Sequence, residues 1–223
     1  QEDLYYISKR NGLNMSYSNY RYPGESRGII FSITDKIFPY ILGDGKSSLS
    51  ILIKNHDRFK FQEETFQKRF SEKLDWIPEI GQKVSLGFAG NHIQGCLFQD
   101  GSQLITKELA LKIDEISKTF DGFYFGRYDI RYMNEEDLKN GKNFKIIELN
   151  GAMSESTNLY DPKFSIFQSY SILFKQWKIL FEIGAANYKN GARVYTLSSF
   201  IQLMKQYSIY KKNLDPIAKE IML

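Results

Sequence analysis

Cysteine and histidine are nearly missing from this sequence. One cysteine, Cys96, excludes an intramolecular disulfide, and with only two histidines beside it a Cys/His zinc site is excluded too. That thiol poverty suits a reducing compartment, the cytoplasm. No apolar run is long enough to span a bilayer, and the opening Gln-Glu-Asp-Leu lacks the charged-then-apolar layout of a signal peptide. Neither a membrane role nor secretion is therefore expected. An excess of one charge is also lacking: 30 Lys+Arg against 26 Asp+Glu leave +4, spread along the chain. This argues against a dedicated nucleic-acid binder but leaves room for a basic pocket facing a polyanion. There is no internal repeat and no low-complexity tract. Residue 1 is Gln instead of Met, which reads as a fragment or a processed product.

What is present is apolar and aromatic. Of the 223 residues, 42% are hydrophobic and 15% aromatic, enough for a core in one large domain or two small ones. Residues 29–33 and 38–42 are β-rich and flank a polar Thr34-Asp35-Lys36, which reads as a hairpin closed by Gly43-Asp44-Gly45. The stretch 54–74 reads as mostly solvated helix. Trp76-Ile77-Pro78-Glu79-Ile80-Gly81 breaks the pattern and marks a domain boundary near residue 80. A further β-rich region covers 84–98. Thr106 is placed to cap a helix carrying Leu109, Ile113, Ile116 and Phe120. Strands are expected over 123–132 and 144–150. A long helix follows, with Ile166, Tyr170, Phe174, Trp177 and Phe181 on one stripe read as core, ending near Asn190-Gly191. A last helix carries Leu197, Ile201, Met204 and Tyr207.

The chemistry concentrates in the two strands. Strict alternation puts Arg127, Asp129 and Arg131 on one face of the first, and Glu148 and Asn150 on one face of the second. In an antiparallel hairpin Asp129 then lies opposite or diagonal to Glu148. Facing carboxylates repel unless a positive charge lies between them. Two carboxylates and an amide oxygen form a hard-oxygen set suited to magnesium, and Arg127 beside them suits a phosphoryl group. The same residues also suit an exposed hairpin face with surface ion pairs.

These motifs resemble the ATP-grasp ligases, the superfamily of D-alanine:D-alanine ligase and cyanophycin synthetase, whose members carry Arg-x-Asp on one strand and Glu-x-Asn on the next. Gly43-Asp44-Gly45-Lys46-Ser47-Ser48 is similar to a Gly-Asp-Gly-Lys-Ser-Thr stretch of the cyanophycin-synthetase-like members. Tyr-Arg-Tyr-Pro-Gly-Glu at 20–25 and the run from Asn150 to Pro162 resemble bacterial carboxylate-amine ligases of this group. The resemblance covers most of residues 20–190. It implies a partial ATP-grasp fold of class α+β, two α+β subdomains with antiparallel sheets. Residues 1–80 would be the remainder of the N-terminal subdomain with the Gly-Asp-Gly-Lys loop, 81–195 the metal-binding subdomain, and 196–223 a C-terminal helix and tail.

The implied cofactors are ATP and Mg2+, the substrates a small-molecule carboxylate and an amine, and no resemblance fixes the oligomeric state. Asp129, Glu148 and Asn150 are the implied metal ligands and Arg127 the catalytic residue. Gly45, Lys46, Ser47, Asn91 and His92 are read as phosphate or nucleotide contacts, although Gly45-Lys46-Ser47 lacks the glycine a Walker A loop needs at Tyr40. Ser154, Glu155 and Thr157 are read as substrate contacts, or as turn and capping residues. No lysine-bearing strand precedes Gln1, and Asn14 stands where relatives have a ribose-binding acid. The chain alone is therefore expected to be nearly inactive. Asp129→Asn is expected to cost activity more than stability. An ATP-grasp kinase and a non-catalytic nucleotide-binding or interaction module are the alternative readings.

Overall fold

The computed structural model describes residues 13–87, 90 and 95–213. It is a mixed α+β structure whose sheets are antiparallel throughout. The chain divides into two compact units, one up to Ile183 and one from Gly184.

Five strands make the main sheet of the first unit: β1 (Leu13–Tyr20), β2 (Ile29–Ile37), β5 (Leu97–Asp100), β6 (Phe125–Tyr132) and β7 (Phe144–Asn150), in the order β5-β2-β1-β6-β7. The short strands β3 (Tyr40–Leu42) and β4 (Lys83–Ser85) pair separately. The sequence β1 shows why the sheet has two unlike faces. Met15 and Tyr17 alternate with Ser16 and Ser18, so apolar side chains go to one side and small polar ones to the other. Met15, Tyr17, Ile33, Tyr128, Ile130 and Tyr132 form the apolar face. It is covered by Leu109 and Ile113 of the helix α3 (Lys107–Lys118), which Thr106 caps by accepting from the Leu109 N–H at 3.1 Å.

A second apolar cluster joins Ile41 and Val84 to Leu49 and Ile53 of α1 (Leu49–Asn55) and Phe66 of α2 (Glu63–Arg69). A short α4 (Glu135–Lys139) sits in the β6–β7 connection. The long helix α5 (Ile166–Lys189) runs across the unit boundary, and α6 (Leu197–Lys212) belongs to the second unit with no buried residue. Among the described residues no helix is long and apolar enough to cross a membrane.

Several expectations are redrawn. Strand β1 was not anticipated, although its alternation is legible. The hairpin read over 29–42 does not form: β2 continues through Thr34-Asp35-Lys36, and 40–42 pairs with β4. The polar residues taken for a turn are the polar face of the strand, where Thr34 and Lys36 are buried. Strands from both sides of residue 80 share one sheet. Residues 76–82 are no linker, since Gly45 and Leu49 N–H groups donate to the Pro78 and Trp76 carbonyls at 3.1 and 2.8 Å. The aromatic stripe of α5 is not core either. Tyr170, Phe174 and Phe181 are exposed, and only Gln176 and Ile183 of the helix are buried. Helical spacing shows that a helix has an apolar face, but not that this chain covers it.

Gly126 begins the strand on which the chemistry sits, and there a side chain has no room. A Cβ would meet the Phe123 ring at 2.4 Å and the Asn150 carbonyl oxygen at 2.6 Å. Gly126→Ala is expected to destabilise the chain by about 2 kcal/mol, as overpacking at a rigid contact does. A urea melt at neutral pH checks this, and an unchanged midpoint would contradict it.

Candidate functional site

The polar face of the sheet is ordered into rows by strand register. One row reads Asp100, Thr34, Ser16, Asp129, Glu148 across β5, β2, β1, β6 and β7. The next reads Ser32, Ser18, Arg127, Asn150. A β-bulge makes the last column possible. From Tyr132↔Phe144 to Ile130↔Ile146 the pairing is regular, and continued unchanged it would set Asp129 against Ile147 and Glu148 against the core residue Tyr128. Instead Ile147 is the extra residue, and Asp129 pairs Glu148 while Arg127 pairs Asn150. Directly opposed residues share a face, so the bulge turns Glu148 and Asn150 to the side of Asp129.

Asp129 is the centre of the site. Lys36 Nζ donates to its Oδ2 at 2.7 Å, and Ser16 Oγ and Arg127 Nε donate to its Oδ1 at 2.8 and 3.1 Å. The side chains of Lys36, Arg127 and Asp129 are only 7%, 17% and 18% exposed. This is therefore a partly buried ion cluster and not the solvated hairpin face that the alternation also allowed. Burial pushes the Asp129 carboxyl up, but the Lys36 charge and hydrogen bond, with Arg127 and Ser16, outweigh it and hold it below the usual carboxylate range. Two cations on one carboxylate leave the triad with an excess positive charge, which attracts an anion. Arg127 also donates from a terminal nitrogen to the Glu155 carbonyl at 3.1 Å, so its guanidinium is held at two points.

The donors available to a metal are narrow but suitable. Each carboxylate oxygen accepts about two hydrogen bonds. Asp129 Oδ1 already accepts two and Oδ2 one, which leaves one position on Oδ2. Glu148 is exposed and has no ion pair among the described residues. Asn150 Nδ2 is buried without a hydrogen-bond partner, the mark of a polar group placed for something else. No group of three or more His, Cys, Asp or Glu side chains suited to a metal occurs among the described residues. A cation on this face would have to draw on the oxygens of Asp129, Glu148 and the Asn150 amide, which the register sets side by side.

The other expected residues fare differently. The Gly-Asp-Gly loop already commits the donors it would offer a phosphate: Gly45 N–H bonds Pro78, and Lys46 and Ser47 N–H both donate to Asp44 Oδ1, at 2.8 and 2.7 Å. Ser47 Oγ donates to Asp44 Oδ2 at 2.7 Å. The Ser47 backbone N–H first, then its hydroxyl and the Lys46 N–H, hold the Asp44 carboxyl at about 2. An internal carboxylate thus fills the place a phosphate would take, and the Lys46 side chain is left exposed to solvent. Asn91 and His92 lie outside the described residues. Gly90, just before them, lies close against the triad, since a Cβ there would come within 2.9 Å of Lys36 Cδ.

The segment after β7 lies on the polar face and is tied down by it. Thr157 is buried and its hydroxyl donates to Thr34 Oγ1 at 3.0 Å, while Ser156 and Ser32 share a hydrogen bond between hydroxyls. Asn158 Nδ2 donates to Asp100 Oδ1 at 2.9 Å. The Ser154 hydroxyl closes a turn on the Gly151 carbonyl at 2.7 Å. Ser154 and Thr157 therefore serve the loop, and Glu155 alone of the three keeps an exposed side chain, accepting from the Tyr160 hydroxyl at 2.7 Å. Lys36 and Ser16 were not anticipated as site residues. Their signal was the polar alternation of β1 and β2.

The cluster makes a test of stability direct. Lys36→Met leaves Asp129 short of its main cation and is expected to cost about 3 kcal/mol, the scale for breaking a buried pair. The Asp129 pKa is depressed in the folded state, so its stabilisation is complete above the unfolded carboxylate pKa. It is lost as pH falls through the lower folded value. Lys36→Met should therefore flatten the acid limb of the stability–pH curve, measured by urea melts from neutral to acid pH; an unaltered limb would contradict the pairing. Asp129→Asn strips two partly buried cations of their counter-charge, so a loss of stability is expected beside the loss of activity.

No family model matches the sequence, and comparison with curated proteins finds no match. Among solved structures the chain is similar to a bifunctional glutathione synthetase from Pasteurella multocida, at 16% identity and a TM-score of 0.47. The match covers 75% of this chain and 24% of that one, so the chain spans about a quarter of its length.

Proposed function

We propose that this chain carries the metal and terminal-phosphate site of an ATP-dependent carboxylate–amine ligase of the ATP-grasp type. The observation that supports this best is the partly buried, net positive Lys36–Asp129–Arg127 triad, opposed across the bulge by Glu148 and Asn150. A plain structural ion pair needs one cation for its carboxylate, whereas here two cations share Asp129 and leave the triad with a positive excess that suits a phosphate. The Arg-x-Asp and Glu-x-Asn motifs that resemble this superfamily fall on that same pair of strands.

In this reading a substrate carboxylate oxygen attacks the γ-phosphorus of ATP, the bond to the β-bridging oxygen breaks, and ADP leaves. An amine then adds to the carbonyl carbon of the acyl phosphate, and the tetrahedral intermediate expels phosphate as the amine loses a proton. Arg127 has five N–H groups and uses two on Asp129 and Glu155, so the others are available to phosphoryl oxygens. Lys36 adds positive charge beside them while Ser16 and the two cations keep Asp129 ionised. Asp129, Glu148 and Asn150 would hold magnesium, which when bound neutralises phosphate charge. No nucleophilic Ser or Cys is required, in keeping with a Cys96 thiol that burial pushes up to about 11.

Glu148→Gln is the clean test, because Glu148 is exposed and no ion pair depends on it. Titration calorimetry with ATP is expected to show binding that needs magnesium. Glu148→Gln should weaken it on the order of tenfold or more, with the thermal midpoint nearly unchanged. Any ADP release with a panel of carboxylates and amines should likewise need magnesium and fall on the order of 100-fold or more in Arg127→Ala. ATP binding and turnover indifferent to chelation, or untouched by both variants, would sink the proposal. A phosphorylated product that persists without any amine would favour the kinase alternative.

A further inference from the structure

The most buried side chain of α5 is an amide. Gln176 is 2% exposed on a helix whose apolar stripe faces outward, and Ile183 is its only other buried residue. Burying an amide is unfavourable unless its groups are paired, and here both are. Gln176 Oε1 accepts from the Ser156 N–H at 2.7 Å, and Nε2 donates to the Ser154 carbonyl at 2.9 Å. A backbone N–H only donates and a carbonyl only accepts, so this arrangement fixes which way the amide is turned.

The two bonds bracket Glu155. Gln176 thus grips the chain as a neighbouring strand would, on either side of the residue whose carbonyl accepts from Arg127 at 3.1 Å. The other hold on that guanidinium is Asp129, through Nε at 3.1 Å. Without the Glu155 carbonyl the planar guanidinium is held at Nε alone and can swing as a rigid plane about the Cδ–Nε bond, so the fork loses the fixed orientation that suits a phosphoryl group.

We infer that Gln176 is a positioning residue: it locks the Ser154–Ser156 backbone so that Glu155 holds the Arg127 guanidinium in one orientation. The geometry stands by itself, whereas its catalytic consequence rests on the ligase reading above. Neither the Arg-x-Asp nor the Glu-x-Asn motif points to it, because Gln176 lies on another element, 49 positions after Arg127 in sequence.

The test begins with the guanidinium and needs no substrate. In the 15N-labelled chain the Arg127 Nε–Hε signal is assigned by its loss in Arg127→Lys. Its hydrogen exchange is then compared in wild type, Gln176→Met, which keeps the volume, and Gln176→Glu, which keeps the acceptor for Ser156 but has no N–H for Ser154. Exchange is expected to quicken roughly tenfold in Gln176→Met and less in Gln176→Glu, as local opening becomes easier. If either folded variant leaves the Arg127 signal and its exchange as in wild type, the inference is overturned, and if Gln176→Met does not fold, Gln176→Glu decides it.

Kinetics then separate the two claims. With ligase turnover in wild type, Gln176→Met should lower kcat about 100-fold with KM for ATP little moved, the cost of a small misplacement at a positioned group. Gln176→Met added to Arg127→Ala should cost little more than Arg127→Ala alone, since Gln176 acts through that guanidinium. Additive losses would overturn the inference. Should the guanidinium respond while wild type transfers no phosphoryl group, the ligase reading falls and the positioning role stands.

Discussion

The carboxylate of Asp129 is the constraint on which the rest depends. It lies between Lys36 from β2, Arg127 from its own strand and Ser16 from β1, and among the described residues it is the acid that pairs both cations. The β1–β2 pair and the distant β6 are therefore cross-linked at one point on the polar face. Removing the acid leaves two partly buried positive charges, and removing Lys36 leaves the acid under-compensated. The same imbalance that makes the cluster structurally demanding leaves it net positive, which is what a phosphate-handling site needs. Stability and candidate chemistry thus share one set of bonds.

Around that point most of the buried polar groups on the sheet's polar face are paired, Asn150 Nδ2 excepted. The apolar face is closed by α3 in the ordinary way. The polar face is closed by the segment after β7, whose hydroxyls and amide meet Ser32, Thr34 and Asp100. Ser32 and Thr34 of β2, small hydroxyl residues, keep the surface low enough for the segment to lie flat and give it partners. Gln176 finishes this layer from α5, and through Glu155 the layer reaches back to Arg127. The positive triad is thus supported from beneath by strands and from above by the loop.

The Gly-Asp-Gly loop shows the opposite economy. Its geometry is that of an anion nest, with the N–H groups of Lys46 and Ser47 converging. Asp44 supplies the anion from within the chain, and a carboxyl held at about 2 stays charged at any physiological pH. A turn motif and a phosphate cradle use the same backbone donors, so only the partner of those donors separates them.

Much was legible from the residues alone. Alternation gave β6 and β7 nearly to their ends, and Thr106 gave the start of α3, because these patterns are local and a strand or cap forms wherever they occur. It also put Arg127 with Asp129 and Glu148 with Asn150. Whether those two pairs share a face was decided by the extra residue Ile147, since a one-residue shift flips a whole strand and nothing local in Phe-Lys-Ile-Ile-Glu-Leu-Asn marks the bulge. Lys36 was read as turn because polar residues usually end a strand; its place is set by β1 and β6, which bring Asp129 to it across 93 positions. The α5 stripe shows the converse, a periodic pattern left exposed among the described residues. Sequence determined which elements form and which side chains share an element. Register, burial and the pairing of distant charges came only with the tertiary structure, because each is a property of two segments at once.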